Sequence, residues 1–122
     1  MSASRPNYNI QIGQSETYRK VWIYGDAKKR PVNIEGYKFW MDITDKAGKV
    51  VIRMTSDNQS GDRISLSLAN EGKWVEIFDP CNLKPGALYY YDLLMEDTQG
   101  KRRIIREGEV LVEPTRTKVT DD

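Results

Sequence analysis

The chain has 122 residues, 39% hydrophobic and 30% charged, with one cysteine and no histidine. Lys and Arg total 19 and Asp and Glu 18, for a formal net charge of +1. This composition excludes a disulfide scaffold, Ser-His-Asp and Cys-His nucleophiles and Cys/His zinc sites, and its near-neutrality argues against a nucleic-acid binder, which carries a basic excess on one face.

The opening MSASRPNYN has neither apolar content nor an h-region. Residues 1–6 therefore read as a flexible tail, not a secretory signal, and synthesis in a cytoplasm is expected. No window carries the i, i+3, i+4, i+7 apolar repeat of a helix; short alternating runs appear instead. YNIQI (8–12) stops at Gly13-Gln14-Ser15, and TYRKVWIY (17–24) at the turn pair Gly25-Asp26. The loop AKKRPVNIEG follows, its Pro31 blocking ladder pairing. YKFWMDIT (37–44) and KVVIRMT (49–55) form a predicted hairpin across DKAG, with Phe39, Met41 and Ile43 sharing a face with Tyr37, opposite Trp40. SDNQSGD is a polar loop, and RISLSLA (63–69) puts Ile64, Leu66 and Leu68 together. WVEIFD (74–79) is a short strand whose phase assigns Trp74 no face. PCNLKPGA is an irregular crossing in which Cys81 reads as a small apolar filler. LYYYDLLMED (88–97) turns at Thr98-Gln99-Gly100-Lys101 into RRIIREGEVLVEP (102–114), where Gly108 predicts a bulge or bend. Residues 115–122 read as a second flexible tail.

Eight short strands without crossover helices predict one antiparallel β-sandwich domain over 7–114, because one-sided sheets bury their apolar faces against each other. A small barrel of similar strand count stays open. No segment is long and apolar enough to span a bilayer as a helix, so no membrane partner is expected.

The row Tyr89-Tyr90-Tyr91 suits either a stacking platform or a strand. Alternation places Tyr89, Tyr91, Leu93 and Met95 on one face and Tyr90 with the carboxylates on the other, which favours the strand and leaves Tyr90 exposed. Trp40 and Trp22 fall opposite the more apolar face of their strands, as protein-interface anchors or sugar-stacking groups. The basic runs Lys28-Lys29-Arg30 and Lys101-Arg102-Arg103 sit in predicted turns, as solvated tips or docking points on an acidic partner. Trp22, Trp40, Tyr90, Lys28, Lys29 and Arg30 are thus the candidate interface residues. Asp92, Glu96, Asp97, Glu107 and Glu109 have no cleft in which to act as a glycosidase pair, and the Asp57…Asp62 loop fits no EF-hand. No catalytic residue, metal or cofactor is expected.

The run PGALYYYDLLMEDTQGKRRIIREGEVLVEP resembles the closing hairpin of small immunoglobulin-like domains in tailed-phage virion proteins. The shared features are Gly86, Tyr89, Tyr91, Asp92 and Leu93, then Gly100, then Gly108, Val110, Val112 and Pro114. The front half, IQIGQSETYRKVWIYGDAKKRPVNIEGYKFWMDITDKAGKVV, is similar to the family's opening. Gln14-Ser15-Glu16 replaces an Asp-Thr turn and Ile34-Glu35-Gly36 a Leu-Thr-Gly loop. Over about residues 8 to 115 the resemblance implies a stand-alone form of the N-terminal domain of upper-baseplate proteins. Such a domain docks in multiple copies on other virion proteins, at tail, neck, fibre attachment or capsid surface. A carbohydrate-binding module for host glycans is the alternative, and a non-virion assembly regulator a third.

Overall fold

A computed structural model describes residues 6–115. Apart from Pro6 and Thr115, the segments expected as tails lie outside these residues. The described chain is all-β. Its strands are β1 (Ile10–Gly13), β2 (Tyr18–Ile23), β3 (Lys38–Thr44), β4 (Val50–Thr55), β5 (Arg63–Leu68), β6 (Lys73–Phe78), β7 (Leu88–Glu96) and β8 (Arg102–Glu113). Each predicted run became one strand.

The strands divide into a five-stranded sheet of order β1-β8-β7-β3-β4 and a three-stranded sheet of order β2-β6-β5. β1 runs parallel to β8; every other strand pair is antiparallel. No strand ladder joins the sheets among the described residues, so the arrangement is two packed layers and not a closed barrel. Period-two alternation sends Phe39, Met41, Ile43, Leu93 and Val110 inward from the large sheet, and Tyr18, Ile64, Trp74 and Phe78 from the small one. Two aromatic stacks join neighbouring elements, Tyr18 on Phe78 at 4.7 Å and Phe39 on Trp74 at 4.9 Å between ring centroids. Burying these side chains supplies most of the driving force, at about 25 cal/mol per Å² of apolar area.

Three turns share one solution. Asp26, Asp45 and Asp97 each accept, on Oδ1, the backbone N–H groups two and four residues on. Each also accepts, on its backbone carbonyl, the N–H three residues on. That third residue adopts the left-handed conformation: Gly48 at φ 86°, Gly100 at 82°, but Lys29 at 62°. A Cβ in this region is disfavoured by roughly 1–2 kcal/mol. Lys29→Gly is therefore expected to stabilise the protein by about 0.5 kcal/mol, the relief being partly offset by unfolded-state entropy. Urea denaturation would show a higher midpoint at unchanged slope.

Two expectations change here. Ile64 is buried, but Leu68 is 46% exposed, because the β5–β6 register shifts between Leu66 and Leu68. The irregularity of the closing hairpin lies between Leu93 and Leu94, where Ile105 is the extra residue; Gly108 pairs regularly with Tyr91. Gly108 serves a different need. A Cβ there would sit 2.8 Å from the Tyr8 carbonyl carbon and closer still to its oxygen, so only glycine lets the 6–9 segment lie on β8.

Candidate functional site

Two constellations stand out, one between the sheets and one on the outer face of the large sheet. Between them, Arg106 of β8 reaches Glu76 of β6 with Nη2 2.6 Å from Oε1. Glu76 is 0% exposed and Arg106 4%. Trp74 Nε1 donates to the second Glu76 oxygen at 3.0 Å, and Arg106 Nε donates to Tyr91 Oη at 2.9 Å. Tyr91 in turn donates to the Tyr8 carbonyl at 2.5 Å. The guanidinium carbon lies 3.9 Å from the Trp22 ring centroid. On the solvent side Lys20 Nζ donates to Tyr8 Oη at 2.7 Å, and Tyr8 meets Trp22 edge-on at 5.0 Å.

Burial works against the Arg106 charge, but Glu76 outweighs it and raises the pKa of the guanidinium. Burial also pushes the Tyr91 hydroxyl up, keeping it protonated as its donation to Tyr8 requires. The Tyr18 hydroxyl is raised by burial and then by Glu76. Tyr18 Oη and Trp22 Nε1 are the buried side-chain polar atoms left without a hydrogen-bond partner among the described residues. This cluster joins strands of both sheets and the 6–9 segment, which makes it a structural clasp.

Trp22 is thereby corrected. It faces inward with Tyr18, whereas the aliphatic residues of the same strand, Val21 and Ile23, are 50% and 57% exposed. The alternation of TYRKVWIY offers two amphipathic faces. The aromatic one wins because it buries more area and gives the Arg106 guanidinium a ring to lie against. Trp74 is inward and buried. Cys81 is exposed and fills nothing; buried Pro80 and Leu83 occupy that role. The Asp79 carboxylate beside it raises its thiol pKa, which disfavours the nucleophilic thiolate.

The outer face of the large sheet carries Trp40 and Tyr90, as expected, with Tyr89 and Tyr91 buried behind it. Asp42 and Asp92 lie opposite each other on β3 and β7, in the row between the two aromatics. Asp42 receives a fork from Arg53, Nε at 2.8 Å and Nη2 at 2.7 Å. Arg102 bonds Glu96 at 2.7 Å and lies 5.6 Å from the Trp40 ring centroid. Trp40, Leu94 and these charged groups line a shallow groove of about 380 Å³. It presents one apolar ring beside guanidinium and carboxylate groups, which suits recognition of a polar surface.

Lys28, Lys29 and Arg30 form an exposed tip away from both constellations, and Asp26 holds Arg30 at 3.0 Å. Arg102 and Arg103 belong to β8 and not to the turn; Arg103 lies over the Tyr24 ring at 5.6 Å. Of the carboxylates considered for catalysis, Asp97 holds a turn, while Asp92, Glu96, Glu107 and Glu109 line the flat outer face in register. No grouping of His, Cys, Asp and Glu suited to a metal ion occurs among the described residues.

Sequence reasoning missed Glu76 and Arg106. The available signal was parity. Glu76 shares a face with Trp74 and Phe78, and Arg106 with Val110 and Val112, so two opposite charges stand at core positions.

No protein-family model matches the chain, and no curated protein matches it significantly.

Proposed function

We propose that this protein is a non-enzymatic structural subunit of a tailed-phage virion, an immunoglobulin-like block that docks in multiple copies on other virion proteins. The observation that carries the reading is the closing hairpin. The residues that make the chain similar to those phage domains are ones that hold its layers together: Tyr89, Tyr91, Val110 and Val112 are buried, and Gly108 admits the 6–9 segment.

The immunoglobulin-like assignment is supported by topology. With β2, β6 and β5 taken as strands B, E and D, and β8, β7, β3 and β4 as G, F, C and C′, the partition follows the variable-type pattern. Tyr89, second in β7, accepts a hydrogen bond from the Lys84 N–H at 2.8 Å. It occupies the place of the tyrosine corner at the start of strand F. Such a block acts by geometry. It offers rigid faces, and the symmetry of the particle multiplies each contact.

Quantitative mass spectrometry of purified particles from the source tests the proposal through copies per particle. A count of roughly 6, 12 or 18 would place the protein at neck, tail or fibre attachment, where symmetry is threefold or sixfold. A count in the hundreds would make it a capsid decoration protein. Absence from particles would overturn the reading in favour of an assembly factor. The second reading, a glycan-binding module, draws on the Trp40 groove with Tyr90 on the same face. It loses Trp22 from its strip. Glycan-induced quenching of tryptophan fluorescence that disappears in Trp40→Ala would favour it.

A further inference from the structure

Four strands border the two sheets, β1 and β4 the larger one, β2 and β5 the smaller. A border strand offers its unpaired backbone groups to any other strand, and shortness or a bulge blunts that offer. Three of the four borders are blunted here. β1 has four residues. In β4, Val51 is an extra residue where the pairing with β3 shifts between Ile43 and Thr44. In β5, Ser67 is extra where the pairing with β6 shifts between Leu66 and Leu68. Such bulges twist an edge away from a partner strand. β2 carries neither device. It pairs with β6 without a break, from Tyr18 beside Phe78 to Ile23 beside Lys73.

The ladder fixes where the β2 backbone points. The Tyr24 N–H donates to the Gly72 carbonyl at 2.9 Å, so by alternation the even-numbered residues of β2 bond β6. Arg19, Val21 and Ile23 therefore turn their N–H and C=O groups to the open edge, where no described strand or loop pairs with them. Their side chains stand on the outer face. Val21 and Ile23 are the two most exposed large apolar residues among those described. Apolar β-branched residues beside open backbone groups suit a neighbouring strand and not solvent.

We infer that two copies of this chain pair through β2, antiparallel about a twofold axis at Val21, so that two three-stranded sheets become one of six strands. The strand complements itself in this register alone. Val21 faces Val21 of the copy and Arg19 faces Ile23, so all three open residues of each chain exchange both backbone bonds. Neither cation of the strand stands opposite a cation, since Lys20 faces Trp22 of the copy, and an ammonium beside an indole ring is a favourable pair. Centring the axis on Arg19 would set that residue against itself, and like charges directly opposite are unfavourable. Centring it on Ile23 would carry Arg19 past the end of the ladder, to Ala27 in the neighbouring turn. An isologous contact of this kind closes at the dimer. Six residues at about 3.4 Å each make an edge of about 20 Å, on a block whose sheets stand about 10 Å apart. The contact is thus on the order of a few hundred Å², below the ~800 Å² per partner of a stable interface, and the dimer forms only at high local concentration. This inference goes beyond the virion reading and stands on the β2 edge alone.

Sedimentation velocity of the purified full chain over a wide concentration range tests it. The expected sedimentation coefficient rises with concentration and levels off at the dimer. Val21→Lys opposes two cations at the axis and should raise the dimer dissociation constant at least about tenfold. Val21→Pro removes an N–H that serves only the copy, so it should abolish the dimer while the edge strand tolerates it. Ile23→Glu sets a carboxylate opposite Arg19 of the copy at two symmetric places. It should lower the dissociation constant about two- to thirtyfold and make it sensitive to salt. Circular dichroism and urea denaturation check that each variant keeps the parent fold. A wild-type chain monomeric at all concentrations would overturn the inference and leave the β2 edge to a strand of another protein. So would association that continues past the dimer, a dimer that both Val21 variants retain, or an Ile23→Glu dimer weaker than the parent. Presence or absence in particles bears on the virion reading and leaves this result unaffected.

Discussion

Glu76→Ala is expected to lower unfolding free energy by about 3–5 kcal/mol, since it strands the Arg106 guanidinium between the sheets without a counter-charge. That is a large part of the roughly 5–15 kcal/mol that holds an ordinary domain folded. The loss has two parts, the Arg106–Glu76 contact at 2.6 Å and the Trp74 indole N–H that Glu76 also accepts. The pair as a whole is a different matter. Replacing both partners by apolar residues of similar volume, as in Glu76→Leu/Arg106→Met, should recover the part of the loss due to the stranded charge, because the desolvation of two charges is avoided, and leave about 1–3 kcal/mol for the unpaired Trp74 indole N–H. Urea denaturation of the parent, the single variant and the double variant gives the coupling directly. A single variant as stable as the parent would mean that water or a rotated side chain satisfies Arg106, and the clasp would be dispensable.

Gly108→Ala is expected to cost about 2–4 kcal/mol, through several hydrogen bonds lost together. The added methyl would strike the Tyr8 carbonyl group, and no shift of a flexible side chain could relieve it. The 6–9 segment must lift away. With it go the Tyr8 N–H to Glu107 carbonyl bond at 3.0 Å, the Glu107 N–H to Pro6 carbonyl bond at 3.1 Å and the Tyr91 hydroxyl bond at 2.5 Å. Hydrogen exchange would register the loss at the Tyr8 and Glu107 amides. Gly86→Ala is the control. It has positive φ but open space around its Cβ, so it should show backbone strain of about 1–2 kcal/mol and leave those amides protected.

The strands were legible because each is a local pattern. Alternation and turn residues suffice to place β3, β4, β7 and β8 without knowledge of the rest of the chain. The tyrosine row resolved for the same reason, with Tyr89 and Tyr91 buried and Tyr90 at 40% exposure. What failed were judgements that need a partner. The phase of β2 turns on whether Trp22 has something to pack against, and that something is Arg106, far along the chain. Gly108 looked like a defect in its own strand because the segment that requires it is β1's lead-in. Glu76 looked like an ordinary polar position until its parity was set beside that of Arg106. Long-range pairing, not propensity, decided these sites.

The parallel pairing of β1 with β8, from Ile10 beside Val110 to Gly13 beside Glu113, has a mechanical consequence. Residue 6 lies at one end of this seam, by Glu107, and residue 115 at the other, by Ser15. Tension applied between these two points pulls along the strands, so the seam is loaded in shear and its bonds share the force instead of opening one after another. A block built this way resists stretching along its length far better than its modest size would suggest.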